Sequence, residues 1–165
     1  MKKIIIFVLI ALLLVIGTVY FYPKKYNKTY SGIMYRIGDN THNEKIQIVF
    51  DGEYYNRLFK KGVFRGNIIV GDKKLSNAEL RFYAPYKAML TYYNESRLGG
   101  EYVDFGIVIT DNLKKHFCIG VYESDKQNTS GKGWSSGDGL IISAPARDIS
   151  EADGIAKELL NKLLN

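Results

Sequence analysis

Nineteen consecutive residues, Ile4 to Tyr22, carry no charge and read IIIFVLIALLLVIGTVYFY. As a helix they would rise about 28 Å at ~1.5 Å per residue, close to the ~30 Å hydrocarbon core of a bilayer. Tyr20, Phe21 and Tyr22 suit the interfacial aromatic belt, and Pro23 stops the helix. Residues 1–23 are therefore expected to form an N-terminal transmembrane anchor with a short basic flank. The membrane bilayer is its partner through residues 4–22, and the remainder hangs from it.

The formal charge of +6 first suggests a basic protein. Its placement removes that impression. Lys2, Lys3, Lys24, Lys25 and Lys28 flank the apolar run, and without them 18 basic residues face 17 acidic ones. A nucleic-acid binder would carry its surplus on the domain itself, so no nucleic-acid partner is expected. Lysines on both sides leave the orientation contested. The Lys2-Lys3 pair ahead of an apolar run has the layout of an export signal, which favours an extracytoplasmic domain. No Ala-x-Ala site follows, and the tolerable cleavage site near Gly17 is continued by apolar Val19 to Tyr22, so an uncleaved signal anchor is expected. The usage of Lys, Ile and Asn is of a bacterial kind.

Residues 24–29 (KKYNKT) read as a basic tether, and residues 30–165 as a single β-rich globular domain. One cysteine, Cys118, excludes an internal disulfide framework, so the domain must stand on its core. From Tyr30 the pattern alternates with many Tyr, Ile, Val and Phe residues, the grammar of strands. Runs at 30–37, 46–50, 64–70, 80–82, 88–93, 103–109, 116–122 and 140–144 fit it. Asp51-Gly52 reads as a turn, after which 53–59 either continues the strand or forms a short helix. Val103, Phe105, Ile107 and Ile109 are expected on one face.

Residues 148–164 are expected to be a helix. Asp148 and Glu151 have capping-box spacing, and Ile149, Ala152, Ile155, Ala156, Leu159, Leu160, Leu163 and Leu164 form one stripe at helical period. The stripe must bury against a sheet face or the open end of a barrel. The expected fold is thus mainly β (α+β). A transmembrane helix precedes a curved antiparallel sheet or barrel of about seven to eight strands, and one amphipathic helix closes the chain. Gly66, Gly106 and Gly120 would give such a sheet room to bend. This order of elements is similar to that of pleckstrin-homology-like domains, a similarity of architecture that implies no function.

Candidate sites are few. His116 and Cys118 lie two apart and share a strand face, as a metal or thiol–imidazole pair would require. His42 is the only other histidine, and a cysteine between Phe117 and Ile119 is more often a small buried hydrophobe, so no metal is expected. Gly131-Lys132-Gly133 does not fit the phosphate-binding GxxxxGK[ST] pattern, and a strand rather than a helix follows it. Ser135, Ser136 and Asp138 lack any spacing that ties them to His42 or His116 as a base, and GxSxG is absent. Asp104 and Asp111 are explained by turn and surface placement.

The segment 124–139 is nonetheless long for a connection, and it carries Trp134, the only tryptophan. Such an aromatic either folds back onto the core or anchors a contact. Trp134, Ser135, Ser136 and Asp138 are the binding residues singled out. The pairs Tyr54-Tyr55 and Tyr92-Tyr93 should place one ring on each strand face, leaving some tyrosines exposed for protein or sugar surfaces. The expected function is a non-enzymatic, cofactor-free domain on a single-pass anchor that binds a protein or cell-envelope component. The alternatives are an envelope-modifying hydrolase using His116 and a lipid- or small-ligand-binding barrel.

Overall fold

The computed structural model describes residues 2–95, 99–124 and 132–164. Helix α1 (Lys2–Phe21) is followed by β1 (Lys24–Arg36), β2 (Asp39–Arg57), β3 (Lys60–Val70), β4 (Lys73–Phe82), β5 (Lys87–Asn94), β6 (Glu101–Asn112) and β7 (His116–Val121). Two short strands, β8 (Glu123–Ser124) and β9 (Lys132–Gly133), precede β10 (Leu140–Ala144) and helix α2 (Ile149–Leu164). Eight strands close a barrel in the order β1-β10-β7-β6-β5-β4-β3-β2, while β8 and β9 pair as a separate ribbon.

All neighbouring strands in the barrel are antiparallel, so the connections alternate between two rims. The rim beside α1 carries the start of β1 and the β2–β3, β4–β5 and β6–β7 turns. The opposite rim carries the β1–β2, β3–β4 and β5–β6 connections and the segment that includes Trp134.

The sequence pattern errs at three instructive places. Residues 24–29 are the first half of β1: Lys24 pairs with Tyr54 and Tyr26 with Gly52, and Tyr26 is buried. The hydroxyls of Tyr26 and Tyr30 both donate to the Leu113 carbonyl, at 3.2 and 3.1 Å, which ties this half of β1 to the β6–β7 turn. Two inward tyrosines outweigh three lysines, and no separate tether remains. Asp51-Gly52 is no turn either, because β2 runs through it. A Cβ on Gly52 would lie 2.2 Å from the Arg65 carbonyl oxygen, and one on Gly66 would lie 2.3 Å from that of Asp51. These glycines let β2 and β3 touch backbone to backbone where the barrel bends. On β6, a register shift between the Leu90 and Thr91 pairings inserts one residue. Phe105 and Val108 therefore face the interior while Ile107 and Ile109 face outward.

The interior draws buried side chains from all eight barrel strands, including Ile48, Phe50, Phe64, Leu80, Leu90, Val108, Ile119 and Ile142. Phe50 is its hub. Its ring meets Phe64, Phe117, Tyr26 and Tyr30 edge to face, with centroids 5.4, 5.6, 5.7 and 6.0 Å away. Such pairs each add about 0.5–1.5 kcal/mol beyond their burial.

A second core lies outside the barrel. Ala152, Ala156 and Leu159 of α2 pack on Ile33, Tyr35, Ile107, Ile109, Cys118 and Ile141. The helix therefore covers the outer wall made by β1, β10, β7 and β6 rather than an open end. Alanines on its contact face allow close approach. Its start is capped as the spacing predicts on one side: the Glu151 amide donates to Asp148 Oδ1 at 2.9 Å. The reciprocal bond differs, since Glu151 Oε2 accepts the Arg147 amide at 2.9 Å.

Candidate functional site

Trp134 folds back. Its indole Nε1 donates to the Leu140 carbonyl at 3.0 Å, and the ring packs at the edge of the second core. A Cβ on Gly120 would lie 2.5 Å from the ring, and one on Gly139 2.6 Å from it, so the indole sits between two glycines. Arg36 fixes the same segment, donating to the Asp138 carbonyl at 2.8 Å and pairing with Glu123 at 2.8 Å. The Ser135 hydroxyl accepts the Gly137 amide at 3.2 Å. Ser136 and the Asp138 side chain are exposed. The four residues expected to bind thus lie together on one rim, with the indole committed to its own domain. Residues 125–131, including Gly131 of the glycine-rich stretch, fall outside the described residues.

His116 lies at the opposite rim, at the start of β7, so the strand separates it from the Trp134 segment by roughly 13 Å at ~3.3 Å per residue. A hydrolytic pairing of His116 with Ser135 or Ser136 is not assembled. What surrounds His116 instead is a cluster from three elements. Its Nε2 lies 3.7 Å from both Asp111 Oδ1 and Glu158 Oε1, while Lys162 Nζ lies 3.0 Å from Asp111 Oδ2 and 2.7 Å from Glu158 Oε1. Hydrogen bonding to Lys162 holds both carboxyls below their usual range, and those carboxylates in turn raise the lysine. Asp111, His116 and Glu158 offer ligand atoms within 4.8 Å of one another. Lys162 bridges both carboxylates, and the cluster works as a latch between α2 and the β6–β7 turn.

Cys118 shares that outer face, as its spacing requires, yet its partner is Ser143, with Sγ 3.3 Å from Oγ. Burial pushes its thiol up to about 12, which leaves it an inert hydrophobe.

The interior offers a ligand little room along the line filled by Phe50 and its four neighbouring rings. A lysine lies at each end of the barrel, and at the α1 rim Lys61 lines a cavity of about 260 Å³ together with Tyr26, Tyr54 and Leu113. Lys61 places Nζ over the Phe82 and Tyr86 rings at 5.0 and 5.4 Å and donates to the Thr110 and Asp111 carbonyls. Burial lowers its amine. Lys73 lies over Tyr92 and Phe105 at 5.2 and 5.1 Å.

The remaining surface is the outer wall of β3, β4, β5 and the first half of β6, over which no element among the described residues lies. It carries an open groove of about 740 Å³ lined by Arg65, Glu79, Arg81, Met89, Thr91 and Tyr102. Arg65 and Glu79 are direct cross-strand partners, and Arg65 Nε donates to Glu79 Oε2 at 2.9 Å. Arg81 Nε donates to Glu79 Oε1 at 2.6 Å. One carboxylate thus holds two guanidiniums, Arg81 through Nη2 as well as Nε, and Arg65 also lies over the Tyr55 ring at 5.6 Å; the three side chains line the groove with one net positive charge. Tyr102, 68% exposed, stands at its side with its ring 5.4 Å from Tyr93. The paired tyrosines divide as their spacing predicts: Tyr54 and Tyr92 pack against the interior, Tyr55 contacts Arg65 on the outer face, and Tyr93 meets Tyr102. Nothing in the sequence singles out Arg65, Glu79 or Arg81. They are up to 16 positions apart, and only the β3–β4 register brings them together.

Comparison of the chain with protein-family models, with curated proteins and with solved structures gives no match.

Proposed function

We propose that this chain is a single-pass membrane protein whose barrel, on the extracytoplasmic side, binds a protein or envelope component and catalyses no reaction. Helix α1 supports the anchor: Lys3–Phe21 is long and apolar enough to cross a bilayer, and none of it is buried against the domain. The observation that carries the binding reading is the uncovered wall with its Arg65–Glu79–Arg81 groove, a surface of fixed cations and an exposed tyrosine. Arginine and tyrosine are the residue types that dominate contact energetics. The segment around Trp134 adds a second contact through Ser136 and Asp138.

Two measurements test this. Protease added to intact cells digests the barrel without lysis if it faces outward; protection until lysis places it in the cytoplasm. A photo-crosslinking residue in place of Tyr102 is expected to give adducts that one at Lys157, on the helix-covered side, does not. Those adducts should vanish with Arg65→Ala and Arg81→Ala combined. Equal labelling from both positions removes the groove from the reading.

A further inference from the structure

The β2–β3 turn ends in Leu58 and Phe59, whose side chains are 57% and 96% exposed. Phe59 also has φ of 58°, the left-handed region where turns favour Gly or Asn. A fully exposed aromatic in a strained conformation contributes nothing to the barrel's own packing.

Its position gives it a use. Lys24, the first residue of β1, pairs with Tyr54, so β2 continues past the start of β1 and back along α1. Asn56 Nδ2 donates to the Tyr20 carbonyl at 2.9 Å, and the Tyr20 hydroxyl donates to the Arg57 carbonyl at 3.4 Å. The tip is thereby held beside the last turn of α1, at the level of its aromatic belt. Exposed Lys24, Lys25 and Arg57 lie around it, suited to lipid phosphates.

We infer that the Leu58–Phe59 tip is a second membrane contact, a wedge inserted in the bilayer interface beside α1 that fixes how the barrel stands on the lipid surface. This rests on the reading that α1 spans a membrane. Aromatic rings are favoured at that depth, and the hydrogen bonds to Tyr20 hold the wedge in place before it meets lipid.

The test uses the full chain with Phe59→Cys, and in parallel Leu58→Cys, carrying an environment-sensitive NBD label, in phosphatidylcholine–phosphatidylglycerol vesicles. Asp72→Cys, exposed on the far rim, is the control, and buried Cys118 does not compete for the label. In protein that floats with the vesicles, the tip labels are expected to emit further to the blue. Acyl-chain spin labels should quench them several-fold more than the control. Tip labels as wet as the control in floating protein overturn the wedge and leave the anchor standing. Protein that fails to float overturns the anchor and the wedge with it. Shielding without lipid quenching, together with energy transfer between labelled copies, assigns the tip to a second copy and overturns the lipid contact.

Discussion

The barrel has two kinds of outer wall. Where β1, β10, β7 and β6 lie under α2, strands are apolar on both faces, and the sequence runs IVIT, FCIG and LIIS with almost no polar interruption. Where β4 and β5 face outward uncovered, inward and outward side chains alternate around the groove: Leu80 inward, Glu79 and Arg81 outward; Leu90 inward, Met89 and Thr91 outward. A strand buried on both faces must be a continuous apolar run, and one buried on a single face must alternate. The same fold therefore divides its labour. One wall is buried on both faces under the helix, and the other leaves its outer face uncovered.

The comparison is sharpened most by Leu159→Ala, which empties the second core of its largest fully buried helix side chain. The domain should lose about 2–5 kcal/mol in urea unfolding. A loss below about 1 kcal/mol would mean that the helix is dispensable and the two walls are alike. Gly120→Ala comes next. The added methyl meets the indole at 2.5 Å, so the domain is expected to lose about 1–3 kcal/mol and the tryptophan emission to move to the red. Unchanged emission would place Trp134 elsewhere.

The Asp111–Lys162 latch predicts a pH effect confined to the covered wall. A carboxyl held low in the folded state stabilises the fold fully above its unfolded value of about 4. That contribution is lost as pH falls through the lowered folded value. Asp111→Asn should therefore narrow the fall in the urea midpoint below about pH 4 and leave its shape above pH 6 unaltered. The smallest effect belongs to the bare wall: Arg65→Ala and Arg81→Ala, the pair used to abolish cross-linking, should each change stability by under ~0.5 kcal/mol.

Much of the fold was legible because alternation and helical period are local. The N-terminal apolar helix, the C-terminal helix and most of the strands follow from spacing alone. The failures share one cause, that contacts distant in sequence override local signs. Gly52 looks like a turn until β3 crosses it at Gly66. Phe105 looks level with Ile107 until the pairing with β5 inserts a residue. Lys24–Thr29 looks like a tether until Tyr26 and Tyr30 find Leu113. The candidate site was less legible still. Trp134 stood out by rarity, which does not distinguish a contact from a plug between two glycines. The groove residues are ordinary in sequence and become a site only through register, just as His116 meets Asp111 and Glu158 only when α2 docks.

Because β1 begins one residue after Pro23, no slack chain lies between α1 and the barrel. β1 is 13 residues long, so its far end lies roughly 40 Å from its start at ~3.3 Å per residue. The molecule cannot fish through a wide volume as a domain on a long leash does. On the proposed anchoring its encounters are confined to a thin layer above the lipid, where diffusion in two dimensions, rather than reach, decides which partners it meets.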